Sequence, residues 1–129
     1  MFDWKKPTVQ MLGRWQPWHD GHQELFKRCV TKTGQVIIQV RDVHGVSGDA
    51  GQDDNPFDWG VVCSNIEKNL LEEGYERGVQ YEIMLVPNIV NITYGRNVGY
   101  VFEEEVFSES ITSISATNIR AEMRQKGSL

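Results

Sequence analysis

The sequence predicts one α/β domain with a mainly parallel sheet of about five strands and helices on both faces. Strand-like apolar runs alternate with helical periodicity in the order β-α-β-α-β, and a further helical pattern follows near the C-terminus. The chain has 129 residues, 40% of them hydrophobic, which suits one core of ordinary size. We therefore expect residues 1–129 to form a single domain.

Three strand patterns are strong and two are weak. The strong patterns cover residues 8–12, 35–40 and 81–86, and the second of them is a β-branched run typical of a buried parallel strand. Residues 100–107 indicate an outer strand, because three consecutive glutamates argue against uniform burial. Residues 111–114 indicate a short last strand.

Three helices are predicted from apolar periodicity and end signals. The first covers residues 21–32 and ends at Gly34, the second follows a capping Asp58 and ends at Gly74, and the last runs over residues 115–126. The apolar stripes comprise His22, Leu25, Phe26, Cys29 and Val30 in the first helix and Trp59, Val62, Cys63, Ile66 and Leu70 in the second.

Composition excludes several classes of protein. With 13 basic and 18 acidic residues the net charge is -5, which argues against binding nucleic acid through a broad basic surface. No apolar run is long enough to cross a membrane, and the first residues show no signal peptide. The two cysteines form no CxxC pair, so we expect free thiols in a cytoplasmic protein.

The first motif is Gly-Arg-Trp-Gln-Pro-Trp-His-Asp-Gly-His, at residues 13–22, where the first strand hands over to the first helix. A helix N-terminus favours bound anions, Arg14 adds a cation, and Gly21 lets backbone and ligand approach closely. This predicts a phosphate site. Two alternatives remain open. His22 continues the apolar stripe and could be a core histidine, or the pair could be half of a zinc site, for which His44 is the one further histidine.

The second motif is Ile-Ser-Ala-Thr-Asn-Ile-Arg, at residues 114–120. The hydroxyls of Ser115 and Thr117 join the first N–H groups of the last helix, and Arg120 follows one turn later. This combination is rich in donors and suits an anion. Taken alone, an ordinary N-cap followed by a surface arginine is the better interpretation.

Taken together, the two motifs resemble those of the HxGH nucleotidyltransferase superfamily. The first has the form GRxQPxHxGH and is most similar to that of archaeal-type nicotinamide-mononucleotide adenylyltransferases, as is Asn55-Pro56-Phe57 before the second helix. The second matches the closing ISxTxIR signature. The resemblance implies a Rossmann-like, doubly wound domain.

The resemblance also implies the reaction. A nucleoside monophosphate passes from a nucleoside triphosphate to a small phosphate monoester, and pyrophosphate is released. ATP is the expected donor, and nicotinamide mononucleotide is a candidate acceptor. CTP with an acceptor like glycerol 3-phosphate is an alternative, because residues 100–113 are shorter here than the corresponding region of the nicotinamide-mononucleotide enzymes. A non-catalytic nucleotide-binding regulatory domain and a metal-dependent hydrolase are further alternatives.

Specific residues carry the implied roles. The histidines stabilise charge at the α-phosphate, the arginines bind the β- and γ-phosphates, and the two hydroxyls cradle the leaving pyrophosphate. The implied catalytic set is His19, His22, Arg14 and Arg120, and the nucleotide- and phosphate-binding set is Gly13, Trp15, Gln16, Gly21, Ser115 and Thr117. Magnesium accompanies the nucleotide, and no metal site is assigned to the protein itself.

Weaker expectations concern the acceptor and the assembly. Asp42 follows the second strand and Arg96 lies in the loop after the third, so both are candidate acceptor ligands. A strand-end turn and an exposed loop arginine are the alternatives. The long loop at residues 44–57 could serve as a lid. The resemblance and the exposed aromatics near Trp4 favour a homodimer or larger homo-oligomer.

Overall fold

A computed structural model of the protein describes residues 1–46, 54–108 and 115–127. These residues form a three-stranded parallel sheet in the order β1-β2-β3, with Val9 opposite Val36 and Val36 opposite Tyr81. The strands are β1 (Val9–Gly13), β2 (Val36–Arg41) and β3 (Tyr81–Val86), and the helices are α1 (Asp20–Thr33), α2 (Trp59–Glu72) and α3 (Ala116–Gln125). The α/β class with a parallel sheet is confirmed. The prediction of about five strands is wrong for the described residues, which contain three.

Local signals fix the ends of the helices. Gly34 adopts φ +88°, and its N–H donates to the carbonyl of Val30 at 2.8 Å, so it ends α1. Asp58 Oδ1 accepts from the N–H of Val61 at 2.9 Å and caps α2. Ser115 caps α3 in the same way. The three predicted helices and their caps are confirmed.

One face of the sheet carries the hydrophobic core. The alternate residues of β2 that are buried, Val36, Ile38 and Val40, pack with the buried faces of α1 and α2. Phe26 of α1 and Ile66 of α2 are fully buried there. Trp59 is the exception to the predicted α2 stripe: it is exposed in the first turn, and Val62, Ile66 and Leu70 bury the helix instead.

The opposite face of the sheet carries both polar and apolar side chains, among them Gln39, Ile37 and Met84. Gln10 donates a side-chain hydrogen bond to Gln39, and Gln39 in turn lies beside the exposed Met84. Because both helices pack on the buried residues of β2, α1 and α2 lie on the same side of the sheet. The prediction of helices on both faces is not met by α1 and α2, which pack together against one face.

Residues 87–108 contain no helix or strand. The predicted strand over residues 100–107 is therefore wrong. This segment contacts α1 through its side chains instead. Lys32 Nζ lies 2.9 Å from Glu103 and 2.5 Å from Glu105. The guanidinium of Arg28 lies 4.1 Å from the centre of the Phe107 ring. The predicted strand over residues 111–114 lies outside the described residues, as does half of the loop predicted at residues 44–57, namely residues 47–53.

The described part of the chain contains no helix both long and apolar enough to cross a bilayer.

Candidate functional site

Two stacked histidines form the N-terminus of α1. The rings of His19 and His22 lie 3.6 Å apart, centre to centre, at an interplanar angle of 18°. His19 Nδ1 accepts from the N–H of Gly21 at 3.0 Å, and His22 Nδ1 accepts from the N–H of His19 at 3.2 Å. The motif thus caps its own helix, and Gly21 supplies one of the capping N–H groups.

These hydrogen bonds determine where each imidazole carries its proton. Because Nδ1 of both rings accepts a backbone N–H, the neutral rings bear their hydrogen on Nε2 and can donate from there. Burial, reinforced by the neighbouring His19, lowers the pKa of His22 to about 3. Burial also lowers the pKa of His19, while Asp20 opposes the effect. Both rings are therefore neutral hydrogen-bond donors at pH 7.

Trp15 packs against His22. Its ring is buried, contacts His22 edge-to-face at 4.7 Å between centroids, and donates from Nε1 to the carbonyl of Gln39 at 3.1 Å. Gly13 makes room for it, since a Cβ there would lie 2.8 Å from the Trp15 ring. Gly13 and Trp15 thus make packing contacts that set the position of His22.

Gln16 ties the first motif to the segment before α2. Its buried side chain accepts from the N–H of Phe57 at 2.9 Å and donates to the carbonyl of the same residue at 2.9 Å. Arg14 makes a second link, donating to Asn55 Oδ1 at 3.3 Å. The Asn-Pro-Phe segment is therefore part of the site.

Arg120 joins the second motif to the first. It projects from α3 and is 2% exposed. Its Nη1 donates to the carbonyl of Gln16 at 2.5 Å, across 104 residues of sequence, and its Nη2 donates to Thr117 Oγ1 at 3.3 Å and lies 3.5 Å from Asp54 Oδ1. The interpretation of Arg120 as a surface arginine is wrong, because α3 packs this side chain inward onto the first motif.

Arg14 and Arg124 lie close enough to Arg120 to act on its charge, as does Asp54. Burial lowers the pKa of Arg120; Asp54 opposes this shift, while Arg14 and Arg124 reinforce it. The guanidinium stays charged all the same, because its ordinary pKa is far above neutrality. The hydroxyl oxygen of Ser115 accepts from the N–H of Asn118 at 3.3 Å and so caps the N-terminus of α3.

The two weaker candidates do not join this group. Asp42 is exposed after β2, and its N–H donates to the carbonyl of Val86 at 2.8 Å. Arg96 is exposed within residues 87–108. Among the contacts of the described residues, none links either side chain to the histidines or to Arg120. Both remain predictions as acceptor ligands.

Sequence reasoning missed Asp54 as a partner of Arg120 and Asn55 as a partner of Arg14. Asn55 was noted for its place in the Asn-Pro-Phe segment, but that pattern does not reveal which side chain it meets. The described residues contain no group of three or more histidine, cysteine or acidic side chains able to hold a metal ion.

A cavity of about 520 Å³ opens beside His19 between the start of α1 and helices α2 and α3. Its volume falls in the range of small-ligand sites. Aromatic and aliphatic side chains form most of its wall, with two asparagines and Asp20 as polar groups. The lining residues are Trp15, Pro17, Trp18, His19, Asp20, Phe57, Val61, Val62, Asn65, Asn69, Ile119 and Met123.

Three curated proteins named nicotinamide-nucleotide adenylyltransferase match the chain. The protein from Archaeoglobus fulgidus is 29% identical over 76 residues, which are 59% of this chain and 41% of that protein. The protein from Halobacterium salinarum is 31% identical over 61 residues (47% and 32%), and that from Methanococcus aeolicus is 33% identical over 60 residues (46% and 33%). No family model matches the chain.

The chain spans less than half the length of each of these relatives. It is thus similar to archaeal nicotinamide-nucleotide adenylyltransferases over about half of its own residues.

Proposed function

We propose that this protein is a nucleotidyltransferase that moves a nucleoside monophosphate from a nucleoside triphosphate to a small phosphate monoester. The contact between Arg120 and the carbonyl of Gln16 carries the proposal. It assembles two cationic, donor-rich helix N-termini, from α1 and α3, into one site. Such a cluster suits a polyanion, since helix N-termini and guanidinium groups both favour phosphate.

The reaction balances without a protein nucleophile. An oxygen of the acceptor phosphate attacks the α-phosphorus and forms the new P–O bond. The bond from the α-phosphorus to the oxygen bridging it to the β-phosphorus breaks, and pyrophosphate leaves with the electron pair. An ionised phosphate is already nucleophilic, so the protein's contribution is to position the groups and to stabilise charge.

Each residue of the site has a part in this reaction. His19 and His22 donate from Nε2 to oxygens on the α-phosphorus, where negative charge builds up. Arg14 and Arg120 bind the β- and γ-phosphates, while Thr117 and the first N–H groups of α3 bind the departing pyrophosphate. Loss of one such donor costs on the order of 10²–10³ in rate.

Magnesium would neutralise phosphate charge when bound with the nucleotide. It usually binds phosphates and water with few protein ligands. The donor set described above fits that arrangement, because it offers phosphate-binding cations and N–H groups in place of a carboxylate cage.

The names of the three relatives support ATP as donor and nicotinamide mononucleotide as acceptor. The cavity beside His19 offers room for a nucleoside next to the phosphates. CTP remains the alternative donor.

The proposal is tested by measuring pyrophosphate release with each of the four nucleoside triphosphates and a panel of phosphate monoesters. We expect turnover with ATP and nicotinamide mononucleotide, and its loss in His19→Asn, whose amide oxygen can still cap α1 and so keep the melting temperature near that of the wild type. Glu72→Gln, an exposed change on α2, serves as the control and should keep wild-type turnover. Tight nucleotide binding without turnover for any pair would instead support a non-catalytic nucleotide-binding domain.

A further inference from the structure

Arg120 is covered by protein at the place where the proposed function needs it to meet phosphate. It is 2% exposed, and its Nε is buried with no hydrogen-bond partner. Its Nη2 faces Asp54 Oδ1 at 3.5 Å, a long ion pair. A phosphate oxygen can therefore reach this guanidinium after a covering group has moved.

Asp54 is the covering group with the right chemistry to be exchanged. A carboxylate and a phosphate present similar oxygens to an arginine, and phosphate brings more charge. Asp54 is partly exposed, whereas the opposite side of the guanidinium is held by the Gln16 carbonyl at 2.5 Å. The contact with Asp54 is the weaker of the two and lies nearer to solvent.

We propose that Asp54 is a positioning residue of the phosphate site, whose carboxylate holds Arg120 until a substrate phosphate takes its place. Nucleotide or pyrophosphate binding breaks the ion pair with Asp54 and leaves the bond to Gln16 intact. Departure of pyrophosphate restores the ion pair, so that Asp54 competes with the product for Arg120. This inference rests on the proposed function.

Calorimetric titration with inorganic pyrophosphate tests the exchange directly. The near-isosteric Asp54→Asn keeps an acceptor atom but removes the competing charge, so we expect it to bind pyrophosphate about fivefold to tenfold more tightly than wild type. Glu72→Gln removes the same charge from an exposed site on α2 and should leave the affinity unchanged. An equal affinity in Asp54→Asn and wild type overturns the inference while leaving the proposed function standing.

Steady-state kinetics separate positioning from a merely structural role. Asp54→Asn should lower KM for the nucleotide and the inhibition constant of pyrophosphate together, with KM for the acceptor unchanged. A structural role predicts a lower melting temperature and no selective change in these constants. Asp54→Ser provides the same comparison should the asparagine variant fold poorly. If no variant, nor the wild type, binds pyrophosphate, the proposed function itself is wrong.

Discussion

At the scale of single residues, the backbone at Trp15 shapes the site. Trp15 has φ +54°, in the left-handed region that bulky side chains rarely adopt and that costs on the order of 1–3 kcal/mol. Burial of the indole and its hydrogen bond to Gln39 offset that cost. The resulting turn places the ring under His22 and over Gly13. Nothing in the sequence pattern indicates this conformation, since residue type alone argues against it.

His22 gives the molecule a pH-dependent stability. Its pKa of about 3 in the folded protein lies below the ordinary value of 6.5. Between these two values the unfolded chain is protonated at His22 and the folded chain is not. Stability therefore falls as pH drops below 6.5, by about 1.4 kcal/mol per pH unit from this group. Denaturant unfolding of wild type and His22→Gln at pH 7 and pH 5 measures the effect.

Glutamine is a suitable replacement because at this helix position it can also reach back to the N-cap N–H. We expect the stability of wild type relative to His22→Gln to decrease by about 2 kcal/mol between pH 7 and pH 5. Carboxylates titrate equally in both proteins and cancel. A difference that stays constant with pH would show that His22 is not held neutral by burial.

At the scale of elements, the sequence predicted what is determined locally. The caps at Asp58 and Ser115 and the terminal Gly34 each act within one turn, so residue type and spacing suffice to find them. Residue type and spacing do not predict the contacts between distant elements. The clamp from Gln16 to Phe57 spans 41 residues and that from Arg120 to Gln16 spans 104, and each depends on how helices pack on the sheet.

The Gln16 clamp should stabilise the segment before α2. Gln16→Glu keeps an acceptor for the Phe57 N–H but leaves the Phe57 carbonyl without its donor and buries a charge. We expect a loss of about 2–3 kcal/mol in unfolding free energy, measured by denaturant titration. Gln125→Glu, at the exposed end of α3, is the control and should change stability by a few tenths of a kcal/mol. Equal effects of both variants would mean that the clamp contributes nothing.

At the scale of the whole molecule, charge and apolar surface are unevenly distributed. The net charge is -5, yet Arg14 lies close enough to Arg120 for the two cations to influence each other. Glu103 and Glu105 pair with Lys32 in the last turn of α1, at the opposite end of that helix from the histidines. The acidic composition is therefore compatible with the proposed phosphate site, whose position the composition alone does not reveal.

The uneven apolar surface bears on assembly. Tyr94, Tyr100 and Phe102 are each at least half exposed, and the ring of Tyr94 contacts the other two, with its centroid 5.3 Å from that of Phe102. Valines at 98, 101 and 106 extend the same exposed stretch. Monomeric proteins seldom expose many apolar side chains close together, and most soluble oligomers are built from copies of one chain.

We therefore expect the oligomer predicted from the sequence to form through residues 94–106. Sedimentation equilibrium of the wild type should give a mass above the 14.8 kDa of one chain. Replacing Tyr100 and Phe102 together by lysine should lower that mass towards the monomer, because two charges would be buried in the contact. Leu71→Lys makes a comparable change on an exposed part of α2 and should leave the mass unaltered. A monomeric wild type at the highest soluble concentration would contradict the prediction, and a fall in mass with Leu71→Lys would place the contact elsewhere.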